Sequence, residues 1–211
     1  MANETAPDFD PRHGGKRYPN TRPKPAASII LIKQDGTDVR YLMGQRALSL
    51  AFMPGYLVFP GGRLERQDKL GANLHEDCAT RIGPLGKRLA TCGLRELYEE
   101  TGLRLPSETK LRYMARAITP PGHIRRYDTR FFAAFVEEGF GETTVKPLDN
   151  EFSSVGWYAR SEIPTKQLHR ITDKVLTATE KRLEVDPKLQ IGAIDVPCFR
   201  FRYGRAVVES G

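Results

Sequence analysis

The chain has 211 residues, of which 39% are hydrophobic and 28% charged, a length and apolar content that suit one folded domain with a tail and exclude wholesale disorder. Its 33 basic and 26 acidic residues leave a net charge of +7, which favours anionic partners without choosing among nucleotides, nucleic acid and membrane surfaces. Three cysteines (Cys78, Cys92, Cys198) form no CxxC pair and leave one over in any pairing, which argues against a disulfide framework and for a reducing, cytoplasmic compartment. The start, MANETAPDFDPR, lacks the apolar core of a secretory signal, and no run of about 18 apolar residues exists to span a membrane.

In chain order, residues 1–25 read as a tail, rich in Pro and without hydrophobic periodicity. Residues 26–211 read as a single domain. AASIILIK, from Ala26, is a first strand, DVRYLMGQR (38–46) a second, and the intervening Asp35-Gly36 is a hairpin signal. YLVF (56–59) is a third, stopped by Pro60-Gly61-Gly62. KLRYMARAI (110–118), DTRFFAAFVEE (128–138), SVGWYAR (154–160) and PCFRFRYG (197–204) complete the strands. Helical spacing predicts one helix over 89–102 and another from about Thr165 to Leu183. Within 69–92, Gly83-Pro84 predicts a break between a short helix and one leading into Arg95. Strands interrupted by two or three helices indicate an α+β protein, or a mixed sheet sandwiched by helices.

The informative segment is Arg95-Glu96-Leu97-Tyr98-Glu99-Glu100-Thr101-Gly102-Leu103. At about 100° per residue, Glu96, Glu99 and Glu100 share one arc of about 100°, while Leu94, Leu97 and Tyr98 take the side that can face a core. Gly102 stands where a left-handed residue ends a helix. Like charges on one stripe repel by a few tenths of a kcal/mol per pair. They also crowd the helix C-terminus, where the macrodipole is already negative. A divalent cation reverses that field, and oxygen donors without histidine suit Mg²⁺ or Mn²⁺ over zinc. Taken alone, such a stripe is more often a solvated surface face. His75, Cys78 and Cys92 lack the tight paired spacing of a zinc site.

Upstream lies Phe59-Pro60-Gly61-Gly62-Arg63-Leu64-Glu65-Arg66-Gln67-Asp68, in which the two glycines permit close backbone approach to a ligand. Together the two segments resemble the Nudix box, G-x5-E-x7-R-E-U-x-E-E-x-G-U with U apolar. Arg95, Glu96, Leu97, Glu99, Glu100, Gly102 and Leu103 match its second half in full. Gly62 fits the first half, and Asp68 falls where the pattern has Glu. Residues 69–94 number 26 where the pattern has seven, an insertion of 26 − 7 = 19.

The resemblance implies a Nudix fold, an αβα sandwich with a mixed β-sheet flanked by helices, and metal-dependent hydrolysis of a nucleoside diphosphate linked to another group. It makes Glu96, Glu99 and Glu100, with the Gly61 carbonyl, ligands of Mg²⁺ or Mn²⁺. Glu99 and Glu100 are also catalytic in this reading, Arg95 orients a glutamate, and Glu151, in PLDNEFSSVGW, is the loop candidate for a general base. Residues 46–68 and 118–132 resemble the coenzyme A diphosphatase branch, whose peroxisomal members also carry a long insertion in the box. Coenzyme A or an acyl derivative would then be cut to 3′,5′-ADP and a phosphopantetheine, with Arg46, Arg125 and Arg126 meeting phosphates. Two other readings stay open: hydrolysis of ADP-ribose or a nucleoside diphosphate sugar, and a non-catalytic nucleotide sensor. The expected partner is a small nucleotide, with neither nucleic acid nor membrane; a homodimer is compatible with the sequence.

Overall fold

A computed structural model describes residues 18–36, 38–69, 71–141, 145–190, 195–202 and 205–210. Among them lie nine strands: β1 Lys24–Asp35, β2 Asp38–Arg46, β3 Leu57–Val58, β4 Gly61–Arg63, β5 Arg112–Ile118, β6 Tyr127–Val136, β7 Phe152–Ala159, β8 Pro197–Arg202 and β9 Arg205–Ser210. Three α-helices join them: α1 Glu76–Ile82, α2 Gly86–Thr101 and α3 Arg170–Val185.

β1 is the hub of a mixed sheet. Its run of Ala, Ile and Leu is buried on both faces, as a central strand requires. One edge pairs in parallel with β6 from Lys24↔Tyr127 to Lys33↔Val136. The other edge is shared: Ala26–Ser28 pair antiparallel with β4, and Ile32–Asp35 with β2. Beyond β6 the order continues β5, β8, β9, and β2 also carries β3 and β7. Alternation along β1 divides the core. Ala27, Ile29 and Leu31 face α2, where they meet Leu89, Ala90 and Leu97. Ile30 and Ile32 face α3, where they meet Val175 and Leu176. The sheet is thus held between helices, giving the expected α+β sandwich. α2 sits close to β1 because position 93 is glycine: a Cβ there would come within 2.7 Å of Ile29 Cδ1.

Several expectations are corrected. The strand begins at Lys24 rather than Ala26, and Tyr18 N already donates to Gly122 O, so the ordered part reaches into the expected tail; residues 1–17 lie outside the described residues. The second long helix starts at Arg170, because Thr165–Gln167 closes a separate 3-10 turn and Leu168 bridges to Leu57. β4 and β9 were not anticipated. Tyr98 does not face the core: it is 38% exposed and stacks under the Arg104 guanidinium at 3.6 Å. Gly102 caps α2 at φ 76°, donating to Tyr98 O, as expected. The insertion forms α1, a 3-10 turn Gly83–Leu85 and the first turn of α2, and no helix among the described residues is long and apolar enough to cross a membrane.

Candidate active site

The glycine turn and the glutamate helix meet. Gly61 N donates to Glu100 Oε2 at 2.8 Å, so the two halves of the box are stitched together although 39 residues apart. A Cβ on Gly61 would lie 2.4 Å from Ala27 O, and one on Gly62 would lie 2.4 Å from Glu96 Oε1. A side chain at 61 would collide with the β1 backbone, and one at 62 would push the Glu96 carboxylate out of its place.

Arg95 organises the rest. Its Nε and Nη2 donate to Asp68 Oδ1 and Oδ2 at 2.8 and 3.1 Å. Its Nη1 lies 2.9 Å from Glu96 Oε1 and 2.8 Å from Glu99 Oε2. Asp68, only 1% exposed, also accepts Glu65 N at 2.7 Å. Burial alone would raise the Asp68 carboxyl, but the Arg95 fork and the Glu65 N–H outweigh it and hold the group below the usual carboxylate range. An aspartate therefore makes the bidentate fork at the position where the box pattern has glutamate. Arg88, from the insertion, donates to the carbonyls of Asp68 (2.8 Å) and Glu65 (3.2 Å) and braces the same turn.

The three glutamates sit in different surroundings. Glu99 is half exposed, Glu96 largely covered and Glu100 buried. Burial pushes Glu96 up to about 7 against the pull of Arg95, with Glu99 and Glu151 adding repulsion. Burial also holds Glu100 well above the ordinary carboxylate value, with further repulsion from Glu96 and Glu151. Covered carboxyls short of positive charge are what a divalent cation would relieve, and their all-oxygen donor set fits Mg²⁺ or Mn²⁺. Among the described residues no three acidic, His or Cys groups converge tightly enough to enclose an ion as they stand. The reason is local: Arg95 Nη1 occupies the space between Glu96 and Glu99, and Glu100 is turned to Gly61 N.

These groups border a cavity of about 550 Å³. Of the residues singled out from the sequence, Gly61, Arg95, Glu96, Glu99, Glu151, Arg46 and Arg125 line it, and Glu100 lies beneath. Arg46 lines the cavity and is also tied into the fold. Its side chain is 11% exposed, Nε donates to Phe52 O at 2.9 Å, and Nη1 lies 3.4 Å from Glu151 Oε2. It braces the 47–56 loop against the Glu151 loop, where Ala47 N also donates to Glu151 O. Arg126 does not line the cavity: its guanidinium is spent on Asn20, Thr21 O and Thr119 O, where it ties the start of β1 to the β5–β6 loop. Residues the sequence reading missed also line it, including Phe52, Tyr127, His169, Arg170 and Lys174. Phe52 and Tyr127 meet edge to face at 5.3 Å. Nothing in their local patterns marks them, since loops and strands far apart in the chain bring them together.

An αβα sandwich whose glycine turn and glutamate helix close on one cleft is the architecture of a Nudix fold. A family model for the Nudix domain matches residues 22–179, and the chain belongs to that family. It is an enzyme of the pyrophosphohydrolase type, acting on acid anhydrides. Solved structures agree in fold. A Nudix hydrolase from Alicyclobacillus acidocaldarius is 23% identical, with 74% of this chain and 90% of that chain covered and a TM-score of 0.60. The Nudix domain of Shewanella oneidensis NrtR, solved with ADP ribose, is 15% identical over 83% and 94% of the two chains, with a TM-score of 0.56. An Ap4A hydrolase from C. elegans is 12% identical over 77% and 98%, with a TM-score of 0.54. Curated protein sequences give no significant match.

Proposed function

We propose that the protein is a Mg²⁺- or Mn²⁺-dependent hydrolase that cuts the diphosphate of coenzyme A or an acyl derivative, releasing 3′,5′-ADP and a phosphopantetheine. The observation that supports the chemistry is that Glu96, Glu99 and Glu151 line one cavity with Arg125, Arg170 and Lys174, with Glu100 buried beneath. Glu96, Glu99 and Glu100, with the Gly61 backbone, are the residues that would hold the metal. When bound, such an ion neutralises diphosphate oxygens and lowers the pKa of an attacking water. The protein's own groups do the remainder. Asp68 fixes the Arg95 plane, so that Nη1 sets the angle between Glu96 and Glu99. Glu151, half exposed at the cavity and held by Arg46, takes the proton of the water. Arg125 meets a phosphate from the loop side, where a guanidinium can bind two oxygens at once.

The resemblance of residues 46–68 and 118–132 to coenzyme A diphosphatases supports the substrate choice. ADP-ribose is the alternative, favoured by the ADP-ribose complex of the similar NrtR domain. The test is turnover of coenzyme A, ADP-ribose, Ap4A and nucleoside diphosphate sugars with Mg²⁺ or Mn²⁺. Release of 3′,5′-ADP from coenzyme A with the highest kcat/KM supports the choice. Brisk ADP-ribose cleavage without 3′,5′-ADP release rejects it.

A further inference from the structure

The catalytic cavity does not stop where the Nudix match ends. The family model covers residues 22–179, yet β8 and β9 extend the same sheet and supply Phe199, Arg200 and Val207 to the same cavity. The register shows how far this reaches. One row of paired residues runs Arg63, Ala26, Thr129, Ala117, Phe199, across β4, β1, β6, β5 and β8. Four strand spacings separate its ends, roughly 19 Å at about 4.8 Å each. Phe199 pairs with Ala117, packs on the α3 side of the sheet and lines the cavity together with Ile171 and Lys174 of α3. The Glu96 carboxylate lies over Gly62, which pairs with Ala27 on the α2 face, so the cavity runs from the glutamates round the β4 edge onto the α3 face of this row.

A diphosphate held at the glutamates thus leaves for the rest of the substrate the part of the cavity that Phe199, Ile171, Lys174 and Arg200 line. A chain equivalent to about four peptide residues, such as the pantetheine arm, extends roughly 14 Å beyond its phosphate, about three strand spacings, which brings its end to β5 beside Ala117, the partner of Phe199, whereas a short sugar stops well before β5. Such an arm is mostly aliphatic with amide groups, which suits an aromatic and aliphatic wall.

We propose that the β8–β9 hairpin, with the first turn of α3, is a specificity compartment that holds the long second arm of the substrate, and that Phe199 is its principal contact. This deepens the reading of the cavity as a diphosphatase site and rests on it, but not on coenzyme A being the substrate.

Two measurements test it. The first compares kcat/KM for a long-armed diphosphate with that for ADP-ribose, in the wild type and in Phe199→Ala, with Phe199→Leu as a second variant should the first fail to fold. Coenzyme A and FAD both serve as the long-armed substrate, so failure of coenzyme A alone rejects the substrate choice and leaves the compartment testable with FAD. The expected result is an approximately tenfold fall in the long-to-short ratio, carried by KM. A ratio that stays within twofold, or a wild type that cleaves neither long-armed substrate, overturns the proposal. The second places a thiol in the wall with Phe199→Cys, activated as the mixed disulfide with thionitrobenzoate. The coenzyme A thiolate attacks the protein sulfur, a new S–S bond forms, and thionitrobenzoate leaves with the electron pair. Coupling at least tenfold faster than with glutathione, and absent in the wild type, supports an arm that reaches β8. Equal rates overturn it.

Discussion

Removing the carboxylate of Asp68 should destabilise the protein and disorganise its glutamates together. Asp68 is 1% exposed and accepts three hydrogen bonds, two from Arg95 and one from Glu65 N. Arg95 keeps Glu96, Glu99 and the Arg63 carbonyl as partners, so its charge is not stranded outright. Breaking a buried pair by removing one member costs about 3–5 kcal/mol, and the remaining partners place Asp68→Ala at the lower end, about 3 kcal/mol. With a urea m-value of about 2 kcal/mol/M, the midpoint should fall by roughly 1.5 M. The pH dependence has a definite sign. The folded carboxyl titrates below the unfolded one, so its contribution is present above the ordinary carboxylate range and is lost as pH falls through the depressed folded value. The gap between wild type and Asp68→Asn should therefore be full at pH 7 and shrink below about pH 4. Urea melts at pH 7 and pH 3 measure both. A pH 7 midpoint shift under about 0.3 M would refute the view that the Arg95–Asp68 fork holds the two halves of the box together.

Other outcomes follow from the same geometry. Glu99→Gln should lower kcat by orders of magnitude, while Tm stays level or rises, because repulsion within the glutamate stripe is relieved; unchanged kcat would remove the role given to Glu99. Gly62→Ala pushes a methyl to 2.4 Å from Glu96 Oε1 and should abolish activity with little change in urea midpoint, whereas Gly93→Ala, at 2.7 Å from Ile29 Cδ1, should cost about 1–3 kcal/mol in the same melts. Without metal, Tm should fall as pH rises from 5 to 8, since Glu96, at about 7, and Glu100, well above the ordinary carboxylate value, are raised in the fold and the stability of their protonated forms is lost on ionisation. Mg²⁺ should restore Tm more at pH 8 than at pH 5, which a thermal shift series checks.

Much of this protein was legible from local pattern. The β1 run, the Asp35-Gly36 hairpin, the Gly102 cap and the break at Gly83-Pro84 each rest on a backbone preference that a few neighbouring residues decide. The glutamate stripe was legible for the same reason: helical spacing alone sets which side chains share a face. Tyr98 marks where that logic weakens, because facing a core depends on whether core is there, and α2 overhangs the sheet at that position. What tertiary structure alone decided are pairings between distant segments. Arg126 read as a phosphate contact until the fold gave its guanidinium Thr119 O and Thr21 O, and the ties of Arg46 to Glu151 and Phe52 O likewise join segments that no local pattern pairs. Asp68 became the partner of Arg95 only because the 69–94 segment folds back on itself and returns α2 to the glycine turn. The far wall at Phe199 had no signal at all, since a strand's neighbours across a sheet are set by long-range register and not by its own sequence.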